Sequence, residues 1–184
     1  MYTGAVLAGG RSRRFGADKA LYAYRGRPLL AWVLASLEEA GERFIVANRP
    51  YAFGVPVYPD LLPGADSLSG LHTALVQARF PWVAVAACDL PFLTPGYWAL
   101  LYEKALASPH PVVVPWNPEG HLEPLMAFYH KDCLPQVERQ IQEGNLRLGQ
   151  VMEALGATYV LAEEVVVRFG KRVFLNANRK EELP

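Results

Sequence analysis

The chain has no net charge: 18 Lys and Arg residues balance 18 Asp and Glu. A broad nucleic-acid surface needs a basic excess, so no nucleic-acid partner is expected. Cysteine is scarce. Cys88 and Cys133 are the two, far apart in sequence. They form neither a metal-ligand spacing nor a disulfide framework, and a reducing cytoplasmic setting is the expectation. No apolar run is long enough to span a bilayer, so no membrane association is expected. The first apolar run is short and precedes arginines, the reverse of a signal peptide. The four histidines, His72, His110, His121 and His130, are scattered without helical ligand spacing. No serine sits in a nucleophile elbow, which removes a Ser/His/Asp arrangement from consideration. Internal repeats and low-complexity segments are absent.

What is present is an ordinary globular composition. The 184 residues are 52% hydrophobic and 20% charged, enough for one domain with a sizeable core. No linker divides the chain, so residues 1–184 are read as one domain.

Apolar runs and turn residues punctuate the chain. Strands are expected over residues 2–8, 44–47, 55–58, 82–87 and 112–115. Helices are expected over residues 28–40, with Pro28 at the first position and Gly41 as the stop, over 70–78, and over 95–107 with Thr94 as N-cap. Residues 61–69, rich in Pro, Gly and Ser, read as a loop. Further on, residues 123–130 read as a strand with Leu125, Ala127 and Tyr129 on one side. Residues 134–143 and 146–155 read as helices parted by Gly144. Short apolar runs follow over 159–161, 165–169 and 173–175, the last leading into Asn176, Ala177 and Asn178. Alternating strand and helix predicts an α/β fold, a mostly parallel central sheet with helices on both faces. Ligands in such sheets bind beyond the carboxyl ends of the strands.

Four strand ends carry polar or glycine signals: Gly9-Gly10, Asn48, Asp60 and Asp89. The first of these is the strongest. Residues 5–8 are apolar, and Gly9 and Gly10 follow; Arg11, Arg13 and Arg14 then precede Gly16 and Lys19. Glycines let backbone N–H groups approach a phosphate, and the cations neutralise it. The stretch is neither a Walker A loop nor a dinucleotide fingerprint. A solvated surface loop is the alternative reading. Asp89 ends a wholly apolar run before Leu90-Pro91, where it either holds Mg²⁺ shared with substrate phosphates or caps the turn. Asp60 reads as a second metal or nucleotide ligand, or as a turn residue. Asn48 carries donors and acceptors suited to a base or phosphate, or simply forms its loop.

Together these motifs resemble the molybdenum cofactor guanylyltransferases. Leu7-Ala8-Gly9-Gly10, Arg14-Phe15-Gly16 and Asp18-Lys19 look like that family's Leu-Ala-Gly-Gly, Arg-x-Gly and Asp-Lys. Ser67-Leu68-Ser69-Gly70 falls where the family has Gly-Pro-Leu-Ala/Ser-Gly. Cys88-Asp89-Leu90-Pro91 matches Cys-Asp-x-Pro, and Glu123-Pro124-Leu125 matches Glu/His-Pro-x. Asn176-Ala177-Asn178 with Glu181-Glu182-Leu183 matches the Asn-x-Asn-x-x-Glu-Glu-Leu ending. One departure stands out: Asp66-Ser67 replaces Gly-Pro at a loop the resemblance places near the base. Losing that proline leaves the loop more backbone freedom. Sister cytidylyltransferases carry Leu-Ala-Ala-Gly, so Gly9 favours guanine.

The resemblance implies a Rossmann-like nucleotidyltransferase fold, GTP and molybdopterin as substrates, and Mg²⁺. GMP would pass to the molybdopterin phosphate with release of pyrophosphate, between proteins that hand the cofactor over. Leu7, Ala8, Gly9, Gly10, Lys19, Asn48, Asp60, Gly70 and Asp89 would bind the nucleotide, and Asp89 the metal. Arg13, Arg14 and Lys19 would stabilise the leaving pyrophosphate, and Asn176 and Asn178 would face the molybdopterin. Two alternatives stand beside this reading. One is a cytidylyl- or sugar-phosphate nucleotidyltransferase on the same fold; the other is a non-catalytic nucleotide-binding or carrier protein.

Overall fold

A computed structural model describes residues 1–9, 18–177 and 183–184. In chain order its strands are β1 (Thr3–Leu7), β2 (Ala23–Tyr24), β3 (Arg27–Pro28), β4 (Glu42–Val46), β5 (Val57–Tyr58), β6 (Trp82–Ala87), β7 (Val112–Pro115), β8 (Met126–His130) and β9 (Thr158–Val160). The α-helices are α1 (Leu29–Ser36), α2 (Ser67–Gln77), α3 (Pro95–Ala107), α4 (Leu134–Glu143), α5 (Leu148–Leu155) and α6 (Ala162–Phe169). The central sheet has the order β5-β4-β1-β6-β8-β7-β9. β1 pairs in parallel with both β4 and β6, while β8 runs antiparallel to β6 and β7. The remaining pairs, β4 with β5 and β7 with β9, are parallel. The architecture is therefore the expected Rossmann-like one, a mostly parallel sheet with one reversed strand.

Alternation along the strands builds two apolar layers. Val6, Ile45, Ala84, Ala86 and Phe128 face the layer containing Leu30, Leu34, Tyr97, Trp98 and Val165, from α1, α3 and α6. Their neighbours Ala5, Phe44, Val83, Val85 and Tyr129 face Leu68, Leu71, Leu75, Val137 and Val151, from α2, α4 and α5. The continuous apolar runs in β1 and β6 are thus explained: both faces of these strands are buried.

Several boundaries differ from the sequence reading. Helix α1 ends at Ser36 rather than continuing to residue 40. The Ser36 hydroxyl donates to the Val33 carbonyl at 2.6 Å and accepts from Trp98 Nε1 at 3.0 Å. Gly41 serves close approach, since a Cβ there would lie 2.6 Å from the Phe80 ring. Helix α2 begins at Ser67, ahead of Gly70. A Cβ on Gly70 would meet Leu7 Cδ1 at 2.9 Å, so the glycine lets α2 lie against β1. The apolar run over residues 165–169 belongs to a helix, α6. The hairpin β2–β3 has no counterpart in the sequence reading; Arg25 (φ 48°) and Gly26 (φ 78°) form its two-residue turn. Two positive φ values are what a tight turn between twisted strands needs.

Candidate active site

From β1 the chain builds outward through β4 to β5, then returns to place β6 on the other side of β1. Connections above this point diverge, leaving a crevice at the carboxyl ends of β1 and β6. A cleft of about 560 Å³ lies there. Leu7 at the end of β1, Ala8 and Gly9 after it, and Cys88 and Asp89 after β6 form its floor. Asp18, Lys19 and Ala20 form one wall, and Gly64, Asp66, Ser67 and Gly70 another. These walls sit on opposite faces of the sheet: Ala20 packs with the α1/α3 layer, Ala65 and Leu68 with the α2 layer.

Asp89 is 9% exposed. Its Oδ2 accepts a hydrogen bond from Lys19 Nζ at 3.1 Å, and its Oδ1 is buried with no hydrogen-bond partner among the described residues. Among the described residues the carboxylate accepts from no backbone N–H of a turn, in contrast to the alternative raised by Leu90-Pro91. A buried acceptor without a donor is costly and calls for an explanation. A divalent cation fits it. Mg²⁺ takes oxygen ligands and commonly uses one or two carboxylates plus phosphates and water. Among the described residues no group of three or more His, Cys, Asp or Glu side chains could hold a metal, so the remaining ligands would come from a phosphate substrate and solvent.

Lys19 owes its position to Asp18. Asp18 caps the 3-10 turn Lys19–Leu21, with Oδ1 accepting from Ala20 N at 3.1 Å. Its Oδ2 accepts from the Tyr51 hydroxyl at 2.8 Å and pairs with Arg49 Nη1 at 3.1 Å. Burial, then the bond to Asp18, pushes the Tyr51 phenol above its ordinary range. The segment after β4 is thereby tied to the turn that carries Lys19. Arg49 and Tyr51 were missed in the sequence, although Arg49 directly follows Asn48.

Asn48 and Asp60 meet because β4 and β5 are parallel neighbours. Asn48 Nδ2 donates to Asp60 Oδ2 at 3.0 Å, and Asp60 N donates to Asn48 Oδ1 at 2.9 Å. Gly9, Asn48, Asp60 and Asp89 thus line one cleft, as the strand-end argument expected, and Leu7, Ala8, Lys19 and Gly70 line it with them. Asn176 is not among its lining residues. The next residue, Ala177, donates its N–H to the Asp89 carbonyl at 2.8 Å, so the C-terminal segment touches the site's backbone. Gly10, Arg13, Arg14 and Asn178 lie outside the described residues.

The cleft is also lined by Asp66, Cys88 and Leu125, residues of the matched motifs to which the sequence assigned no binding role. Burial, then the Asp89 charge, pushes the Cys88 thiol up to about 12. It is protonated near neutrality and unsuited to nucleophilic attack. Glu123 accepts from Asn117 Nδ2 at 2.8 Å. Burial raises its pKa, with the Asp89 charge adding to the rise and the Asn117 bond opposing it.

Comparison with known proteins agrees with this geometry. Residues 4–158 match the family model described as the MobA-like NTP transferase domain. A relative from Deinococcus radiodurans, named probable molybdenum cofactor guanylyltransferase, is 37% identical over 98% of this chain and 91% of its own. Molybdopterin-guanine dinucleotide biosynthesis protein A from Archaeoglobus fulgidus superposes with a TM-score of 0.84 at 27% identity, covering 98% of this chain and 94% of that one. The 2-C-methyl-D-erythritol 4-phosphate cytidylyltransferase of Thermus thermophilus has a TM-score of 0.71 at 20% identity, over 100% and 96% of the two chains. That likeness establishes the shared fold only.

Proposed function

Because the chain belongs to the MobA-like NTP transferases, a nucleotidyltransferase family, we propose that it transfers GMP from GTP to the phosphate of molybdopterin, releasing pyrophosphate. The observation that carries this reading is the Lys19–Asp89 pair, with Asp89 Oδ1 left without a partner, at the switch-point cleft. Curated relatives bearing the guanylyltransferase name support the choice of nucleotide and acceptor. Residues 1–184 act in this proposal as one nucleotidyltransferase domain.

An oxygen of the molybdopterin phosphate forms a bond to the α-phosphorus of GTP as the bond to the β-phosphate oxygen breaks. A phosphate monoester is already anionic near neutral pH, so no strong protein base is required. The protein's work is positioning and charge neutralisation. Leu7, Ala8 and Gly9 present backbone beside the nucleotide, and Gly70 lets α2 lie close to it. Lys19 neutralises phosphate charge. Arg13 and Arg14, with Gly10, belong to the same proposed phosphate-binding stretch. Asn48 and Asp60 hold each other at the rim and bind the nucleotide as a pair. Asp89 would hold Mg²⁺, which when bound supplies Lewis-acid stabilisation of phosphate charge. Asn176 and Asn178 are proposed to face the molybdopterin.

The test is pyrophosphate release from GTP, Mg²⁺ and molybdopterin by the purified protein. Release with GTP above CTP, UTP and ATP is the expected result. No release with any nucleotide, despite binding, would favour a carrier and refute the proposal.

A further inference from the structure

Asp66 is a carboxylate in a conformation that belongs to glycine. Its φ of 52° and ψ of −130° fall outside the regions open to ordinary side chains. It nonetheless sits at the start of α2 and lines the cleft. Its carbonyl accepts from Ser69 N at 3.1 Å and Gly70 N at 3.4 Å, which fixes the residue to the first turn of the helix. The side chain makes no capping bond, and no hydrogen bond or ion pair to it is found among the described residues. A strained backbone therefore holds an exposed carboxylate in the cleft without an internal partner to account for it.

The two walls have opposite electrostatic demands. Lys19 stands on the wall that packs with the α1/α3 layer, and Asp66 on the wall built on the α2 layer. On the first wall Lys19 attracts a triphosphate while the charge of Asp18 beside it is met by Arg49, and on the second Asp66 repels one. With that charge distribution the uncharged end of a nucleoside triphosphate would be the part that faces Asp66. Asp60, the other acid near that side, is already engaged with Asn48 through both Oδ2 and its backbone N–H.

An ionised carboxylate offers acceptors only. Guanine is the common base that presents two neighbouring donors, N1–H and the 2-amino group, matching two carboxylate oxygens. On adenine and cytosine the exocyclic amine is flanked by a ring acceptor, and uracil offers one N–H between two carbonyls. We infer that Asp66 is a specificity-determining residue that reads guanine through N1–H and the 2-amino group. This inference rests on the GTP reading above, and deepens it by assigning the base contact to a particular side chain.

The experiment compares kcat/KM for pyrophosphate release with GTP, ITP, XTP and 2′-deoxy-GTP in the wild-type protein, Asp66→Asn and Asp66→Gly. ITP lacks the 2-amino group, and wild type should use it about tenfold to a hundredfold less well than GTP, the scale of a lost charge-assisted hydrogen bond. Asp66→Asn should shrink that preference and gain activity with XTP, because its amide can donate to the 2-carbonyl of xanthine while accepting from N1–H. Asp66→Gly, which suits the backbone conformation, should shrink the GTP preference without gaining XTP. A merely structural role would not produce the XTP gain. Retention of the wild-type GTP-to-ITP ratio in both variants would overturn the inference, as would discrimination that follows 2′-deoxy-GTP instead of ITP. Absence of turnover with GTP in wild type would refute the functional reading itself, a result distinguishable from unchanged selectivity in an active enzyme.

Discussion

Asp89→Ala separates the role of this carboxylate in the reaction from any role in stability. Two energetic terms oppose each other in the substitution. The Lys19–Asp89 pair is partly exposed, with side-chain accessibilities of 23% and 13%. Losing such a pair costs about 1 kcal/mol or less, because Lys19 can turn towards water. Removing the partnerless buried Oδ1 returns desolvation energy of about 1–3 kcal/mol. The free protein should therefore keep its stability or gain ~1 kcal/mol, about 2–4 °C in Tm for a chain of this size. Ligand response should move the other way. A nucleotide at a hundred times its Kd stabilises a protein by about 2.7 kcal/mol, or roughly 5–10 °C. Thermal denaturation with and without GTP and Mg²⁺ should show that shift in wild type and a much smaller one in Asp89→Ala. Turnover should fall by about a hundredfold or more, on the scale of losing one electrostatic stabiliser of the transition state. A variant that melts well below wild type would assign Asp89 to the turn before Pro91. A variant that keeps both the GTP-dependent shift and near-normal pyrophosphate release would refute the metal-holding role.

Other substitutions probe the rest of the cleft. Lys19→Met should lower kcat by about a hundredfold while leaving the fold intact, measured by pyrophosphate release and circular dichroism. Gly70→Ala sets a helix-propensity gain of about 1 kcal/mol against overpacking of about 1–3 kcal/mol where the new Cβ meets Leu7 at 2.9 Å. A modest fall in Tm and a raised KM for GTP are expected; an unchanged KM would show that Leu7 yields without disturbing the cleft. Cys88 and Cys133 are both pushed from 9.0 to about 12, chiefly by burial. Unfolding frees their ordinary acidity, so the unfolded state loses protons that the folded state keeps. Their stabilising contribution is complete below pH 9 and is lost as pH rises from 9 towards 12. Urea unfolding across that range should show a flatter decline in the Cys88→Ala/Cys133→Ala variant than in wild type.

Much of the fold was legible because its signals are local. β6 and β7 are continuous apolar runs with turn residues around them, and both occur with the expected bounds. Thr94 caps α3 as the sequence indicates, accepting from Tyr97 N at 3.1 Å. Gly144 ends α4 with a φ of 75°, again a local requirement. Illegible were features set by contacts distant in sequence. The expected helix over residues 70–78 in fact starts at Ser67, and Gly70 owes its small size to Leu7 as Gly41 does to Phe80. The hairpin strands β2 and β3 are too short to carry a periodicity.

The sequence by itself determined that strands end at Gly9, Asn48, Asp60 and Asp89, since apolar runs and turn residues are read along the chain. Parallel pairing then makes one sheet edge the natural meeting place for those ends. Only the tertiary structure decided how they are used there. Asn48 and Asp60 engage each other across neighbouring strands, Lys19 reaches Asp89, and one oxygen of Asp89 is left without a partner among the described residues. It also decided that Asp66 stands across the cleft from Lys19 in a glycine-like conformation. Hydrogen-bond accounting and backbone strain depend on which groups share a space, and that is set by the packing of helices on two faces of the sheet.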